Sequence, residues 1–154
     1  MNQITVIKNK SQYIQEDHYV ILIDNKPLEL ILHELYPEEL FLGLVPTIID
    51  WISLDEEAKF FQRRFNINHD RKIVPVLMCP DDCDLSCTII VAEVITSDDQ
   101  VIWQRIGVDC SKWINSNYEL IGTEVRWLYK VPEMKFDKES YKTLEVIYKP
   151  TNLQ

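Results

Sequence analysis

The 154-residue chain is 46% hydrophobic and 27% charged, enough apolar side chain for the core of one globular domain and too much for a disordered chain. No apolar run approaches the ~18 residues needed to span a bilayer. With 25 Asp and Glu against 16 Lys and Arg, the formal charge of -9 opposes a phosphate backbone and argues against nucleic acid as the direct partner.

Ile4 to Ile7 reads as a short first strand. Tyr19 to Ile23, the turn sequence Asp24-Asn25-Lys26-Pro27 and Leu28 to His33 read as a hairpin, although the imperfect alternation of the second arm also suits the start of a helix. The stretch YPEELFLGLVPTIIDWISLDEEAKFFQRRF is helical in character, but Pro46 breaks it into pieces. Pro37 and Pro46 each suit a helix start, the first with Glu38 and Glu39 in its first turn. Ser53 opens a capping box with Glu56, after which Ala58, Phe61 and Phe65 share a face and Lys59, Arg63 and Arg64 supply positive charge to the helix end.

Beyond residue 72 the period changes. Ile73 to Met78, Thr88 to Ile95, Val101 to Val108 and Thr123 to Tyr129 are rich in Val, Ile, Trp and Tyr, as strands are. The turn Thr96 to Gln100 makes the second and third a hairpin, within an antiparallel meander. Asp137 or the region just before it caps a closing helix, Lys138 to Tyr148, in which Tyr141, Leu144, Ile147 and Tyr148 recur at helical spacing. The expected fold is α+β, a mainly antiparallel sheet with helices packed on one face, in a single domain over residues 1–154.

The charge is unevenly spread. Residues 16–57 hold eleven acidic side chains against Lys26, and residues 76–124 hold nine against Arg105 and Lys112. The compensating positive charge lies in residues 1–15, 58–75 and 125–154. Asp81, Asp82 and Asp84 share one loop, and with Asp98, Asp99 and Asp109 they would form an acidic rim. Trp113, in the polar stretch DCSKWINSNYEL, is the candidate aromatic anchor beside it. Glu38, Glu39, Asp55, Glu56 and Glu57 form a competing acidic face. Trp103 and Trp127 fall on strands, where core packing is expected.

For catalysis or metal binding the pattern is sparse. Cys79, Cys83 and Cys87 recur at intervals of four, and with Cys110 they would reach a zinc ion if the loop folded back. The spacing is not a paired CxxC, and Cys79 and Cys87 also suit core positions at strand ends. The aspartates lack the regular spacing and later Glu of an EF-hand loop. His18, His33 and His69 lie in no nucleophile or metal motif, and GxSxG, GxGxxG, the Walker loop and HExxH are absent. The expectation is a non-catalytic binding protein without a cofactor; the alternative is a small metal-binding protein or enzyme built on the cysteines.

The stretches CPDDCDLSCTIIVAEV, VIWQRIGVD and GTEVRWLYKVPEMKFDKESY sit in a small, acidic chain without a catalytic motif. That profile resembles the immunity proteins of bacterial polymorphic and contact-dependent toxin systems. The resemblance implies a dedicated cytoplasmic inhibitor whose partner is a basic toxin domain, a nuclease for example. The opening MNQITVIKNKSQ lacks the apolar stretch and cleavage site of a secretory signal, so a reducing compartment and free thiols are expected. The charge argument points the same way, since an inhibitor covering a phosphate-binding surface needs the opposite potential.

Overall fold

The computed structural model describes residues 1–9, 18–47, 56, 59–60, 63–64, 71–79, 88–111 and 120–148. These form two antiparallel sheets and a smaller number of helical residues, an α+β fold dominated by sheet. The larger sheet is the expected meander. Strands β5 (Arg71–Met78), β6 (Ile89–Thr96) and β7 (Gln100–Asp109) pair in sequence order, and β8 (Val125–Trp127) follows on the far side of β7. Val74 to Met78 and Ile89 to Val94 are buried without a break, so the centre of the sheet is covered on both faces and its apolar runs do not alternate.

Two short strands that the sequence reading lacked complete this sheet. Val45–Pro46 forms β4, an edge strand in which Val45 pairs with Met78. Pro46 therefore lies in an extended edge, where its missing N–H costs no ladder bond, and residues 48–51 of the helical piece expected to begin there lie outside the described residues. The described residues around Pro37 form turns, so the first expected helical piece is absent there as well. The helix expected further on agrees with Glu56, Lys59, Phe60, Arg63 and Arg64, all helical, with Phe60 fully buried. Its Ser53 cap lies outside the described residues.

The other addition, β9 (Met134–Asp137), runs along the same side of β7 as β8. β8 pairs with residues 107–109 and β9 with residues 100–103, so the two are halves of one interrupted strand. Leu128 still donates its N–H to the Ile106 carbonyl, after which the chain leaves the sheet and returns at Met134. Val131 donates to the Leu128 carbonyl, and both side chains are buried, which fixes the excursion as a tight hook.

A β-bulge decides which way β7 presents its side chains. Glu93 pairs with Arg105 and Val94 with Trp103, leaving Gln104 as the extra residue. Regular alternation would put Trp103 and Arg105 on one face; the bulge puts them on opposite faces. Trp103 is buried, with its Nε1 donating to Tyr141 Oη at 3.1 Å and its ring edge-on to Phe136 at 5.3 Å. Tyr141 belongs to the closing helical run, Lys138–Tyr141, a 3-10 turn Lys142–Leu144 and Glu145–Tyr148. Asp137 caps it as expected, accepting from Ser140 N at 2.7 Å, and those bonds hold its carboxyl below the ordinary range. Tyr141, Leu144 and Ile147 are buried against the core.

The smaller sheet joins β1 (Ile4–Asn9), β2 (His18–Ile23) and β3 (Lys26–Pro27) in that order. The β2–β3 turn rests on Asp24 and Asn25 at φ 53 and 69, the left-handed pair that suits the twist of a two-residue hairpin. Asp24 tolerates this because its carboxylate accepts from Gln3 N and Asn2 Nδ2, both at 2.8 Å. A hairpin starts at Tyr19 to Ile23 as expected, but its second arm is Lys26–Pro27, read from the sequence as part of the turn, and the expected arm Leu28 to His33 instead lies in helix α1, Leu28–Leu35. Leu28 and Leu32 carry its buried stripe into the core, which settles the ambiguity of that segment as helical spacing. Asn2 links the sheets edgewise, with its N–H on the Lys135 carbonyl and its side chain accepting from Lys135 N. No helix of the described residues is long and apolar enough to cross a membrane.

Candidate protein-binding surface

The expected acidic rim is divided by β7. Asp98 and Asp99 lie in the exposed β6–β7 turn, whereas Asp109 closes the opposite end of β7. At ~3.3 Å per residue, a strand of this length separates the two ends by about 30 Å. Asp81, Asp82, Asp84 and Trp113 lie outside the described residues. The flanks of their segments, Cys79, Thr88 and Ser111, are all at the Asp109 end of the sheet.

Asp109 is also internally committed. Its Oδ1 accepts from Gly122 N at 2.9 Å and Ser111 Oγ at 2.7 Å, and Ser111 Oγ in turn accepts from Glu124 N at 2.9 Å. These bonds cross-link the two ends of the 110–124 connection. Gly122, at φ +93, adopts a conformation that suits glycine, and an added Cβ would come within 2.7 Å of Ile73 Cγ2. The carboxylate thus closes a loop neck onto β5.

Of the cysteines, Cys79 is half-buried and packed on the core, and Cys110 is exposed; both lie at the same end of the sheet. Cys83 and Cys87 lie outside the described residues, among which no group of three His, Cys, Asp or Glu is placed to hold a metal ion. His33 falls within α1 and His69 outside the described residues. Trp127, expected in the core, is half-buried, with the Arg105 guanidinium over its ring.

The two most exposed large apolar side chains of the described residues are Leu40, 92% accessible, and Tyr129, 88%. Each sits on a loop whose neighbouring apolar residues point inward. Phe41 and Leu44 anchor the first, and Leu128 and Val131 anchor the second. The loops are fastened to each other. Tyr36 Oη accepts from Lys130 N at 2.8 Å, Lys130 Nζ lies 5.1 Å from the centre of the Tyr36 ring, and Arg126 Nη2 meets Glu39 Oε1 at 3.0 Å. Tyr36 is itself braced edge-on against Phe41, with ring centres 6.3 Å apart.

The result is a double loop that presents an aliphatic and an aromatic side chain on a fixed base, with exposed Glu38 immediately before the Glu39 ion pair. Glu38 and Glu39 belong to the competing acidic face of the sequence reading; Asp55 and Glu57 of that face lie outside the described residues. Exposed aromatic and aliphatic side chains on a braced base are groups that a protein partner can cover. Sequence reasoning missed both anchors because Tyr129 reads as the end of a strand and Leu40 as part of a helix. The usable signal was Pro132, which cannot donate to a ladder and so marks the break in the strand.

Comparison with protein-family models, curated proteins and solved structures gives no match for this chain.

Proposed function

We propose that the protein is a non-catalytic acidic binding protein, an immunity-type inhibitor that covers the working surface of a basic toxin domain. The observation that carries this reading is the exposure of Leu40 and Tyr129 on two loops that are bonded to each other through Tyr36 and Lys130 and through Glu39 and Arg126, in a chain of formal charge -9. Two exposed apolar anchors on a braced base resemble a binding hot spot waiting for its pocket. The charge supplies the other half of the mechanism. A domain that handles phosphates is basic, and an anionic inhibitor is drawn to it by long-range attraction and held over it by the anchors. Inhibition is then occlusion, with no bond made or broken. Glu38 is the exposed carboxylate beside Leu40, Glu39 being ion-paired with Arg126, and Asp98 and Asp99 add to the field from the β6–β7 turn.

The test is capture of partners at low ionic strength by the wild-type chain and by the Leu40→Ala/Tyr129→Ala double variant, followed by a toxicity assay of the captured protein with and without the inhibitor. The expected result is a basic protein that wild type holds and neutralises, that salt releases, and that the double variant no longer protects against. Capture that is indifferent to both salt and the double variant would overturn the reading.

A further inference from the structure

A positively charged site lies across the larger sheet of this anionic protein. Glu93, on β6, is buried, and its two carboxylate oxygens are taken by different arginines: Oε2 by Arg71 Nη1 of β5 at 3.1 Å, and Oε1 by Arg105 Nε of β7 at 3.0 Å. Neither contact is the two-bond fork that a guanidinium makes when a carboxylate saturates it. Arg105 donates its Nε–H to Glu93 and Arg71 makes an ion pair with it, and among the described residues neither guanidinium is given a further protein acceptor. Both side chains are about half exposed, 59% for Arg71 and 45% for Arg105.

These guanidiniums are also held in place. Sharing one buried carboxylate limits their separation, and Arg105 lies flat over Trp127, 3.9 Å from the ring centre. Gly107 makes the stacking possible, since a Cβ there would meet Trp127 Cε3 at 3.0 Å and the Arg126 carbonyl at 2.8 Å. More positive charge lies at the start of β5. Arg64 Nη1 donates to the Ile73 carbonyl at 2.8 Å and Lys72 Nζ to the Arg63 carbonyl at 2.9 Å. The Lys72 ammonium is held below its ordinary pKa first by burial and then by the nearby Arg64 charge.

We infer that Arg71 and Arg105 form a binding site for a phosphoryl group, with Glu93 as the clamp that orients them and Trp127 as the platform that keeps Arg105 in place. A phosphate dianion offers oxygens to both guanidiniums at once and carries about two charges near neutral pH. With two guanidiniums against the one carboxylate of Glu93 the net field attracts anions, and a monoanionic carboxylate gains less from it than a phosphate dianion. Arg, with its planar fork of donors, is the residue suited to this task. The site is on the Trp127 side of β8, whereas the preceding Arg126 turns the other way to Glu39 and the double loop, so it is a separate surface from the proposed partner face.

The experiment is a titration of the full chain, followed through the arginine Nε–H and tryptophan indole resonances, at constant ionic strength. The probes are inorganic phosphate, O-phosphoserine as a monoester, and acetate as a control. Saturable shifts at Arg105 and Trp127 with phosphate or phosphoserine, at least about tenfold weaker with acetate and in Arg71→Gln, support the site. Binding of both phosphate probes identifies a phosphate ester as a competent ligand; binding of phosphate alone restricts the site to the free anion. Arg105→Lys, which keeps the cation but not the fork, is expected to weaken binding several-fold while retaining the native spectrum. Shifts that never saturate, match those with acetate or persist unchanged in Arg71→Gln would overturn the inference. Arg71, at the exposed start of its strand, is the variant that decides if Arg105→Lys perturbs the fold.

Discussion

The Arg105 guanidinium lies 3.9 Å above the Trp127 ring because Gly107, paired with Trp127 across the strands, has no side chain to hold the indole off the sheet. An alanine there would place a methyl group 2.4 Å from Val125 Cγ1 and 2.8 Å from the Arg126 carbonyl, and the backbone contact cannot be relieved by a rotamer change. Gly107→Ala is expected to push β8 away and destabilise the protein by about 1–3 kcal/mol, the usual range for overpacking. Urea unfolding gives the stability, and the Trp127 indole resonance should move with it.

Glu29 is buried in the first turn of α1, and its Oε2 has no hydrogen-bond partner among the described residues. Burial pushes its carboxyl from an ordinary 4.5 up to about 7, outweighing a bond from its own backbone. A raised acid pKa means that the folded state binds the proton more tightly than the unfolded one. Stability from this group is therefore complete below about pH 4.5 and is lost as pH rises through about 7, a change on the order of 3 kcal/mol. Glu29→Gln should remove this part of the pH dependence and raise stability at pH 8. Urea midpoints of both proteins at pH 5 and pH 8 check it; parallel changes in the two would exclude Glu29 as the cause.

Asp109 and the pair Asp98 and Asp99 should separate cleanly. Asp109→Ala removes the acceptor shared by Gly122 N and Ser111 Oγ and is expected to cost about 1–3 kcal/mol. Asp98→Ala/Asp99→Ala removes exposed turn carboxylates and should stay within about 0.5 kcal/mol of wild type per site. Thermal melts of the two variants at one pH distinguish a structural aspartate from charges that only contribute to the field.

Tyr129→Ala should leave stability within about 0.5 kcal/mol, since the ring is almost fully accessible and the hook is held by Leu128 and Val131. Val131→Ala should instead destabilise by about 0.5–2 kcal/mol by emptying the inward side of the same hook. Comparison of the two melting curves tests whether the hook is a preformed support for Tyr129.

The strands from residue 73 to 108 were legible in sequence because Val and Ile crowd them and a polar turn divides them, and Asp137 was legible as a cap because its bond to Ser140 is local. What failed depended on distant partners. Leu28 to His33 has a pattern compatible with either period, and only burial of Leu28 and Leu32 against the core chooses the helix. The edge strand at Pro46 shows only when Val45 is seen pairing with Met78. β9 carries only four residues and exists because β7 offers it an edge. The bulge at Gln104 reverses the facing of Arg105, so alternation alone assigns it to the wrong side. Yet a trace of the charged row was present: Glu93 is the lone charge in TIIVAEVIT and Arg105 the lone base in VIWQRIGVD, on adjacent arms of one hairpin.

The interruption between β8 and β9 also bears on how copies of this chain meet. A long unpaired strand border is a template on which another molecule can add its own strand. Here one described border is the two-residue β4 with Pro46 in it, and the opposite border is split by the hook and partly occupied by Asn2 on Lys135. Neither offers an uninterrupted row of free amides. Excising the hook and fusing its two flanking strands would rebuild such a row, turning a device that displays one tyrosine into an opening for strand-by-strand aggregation.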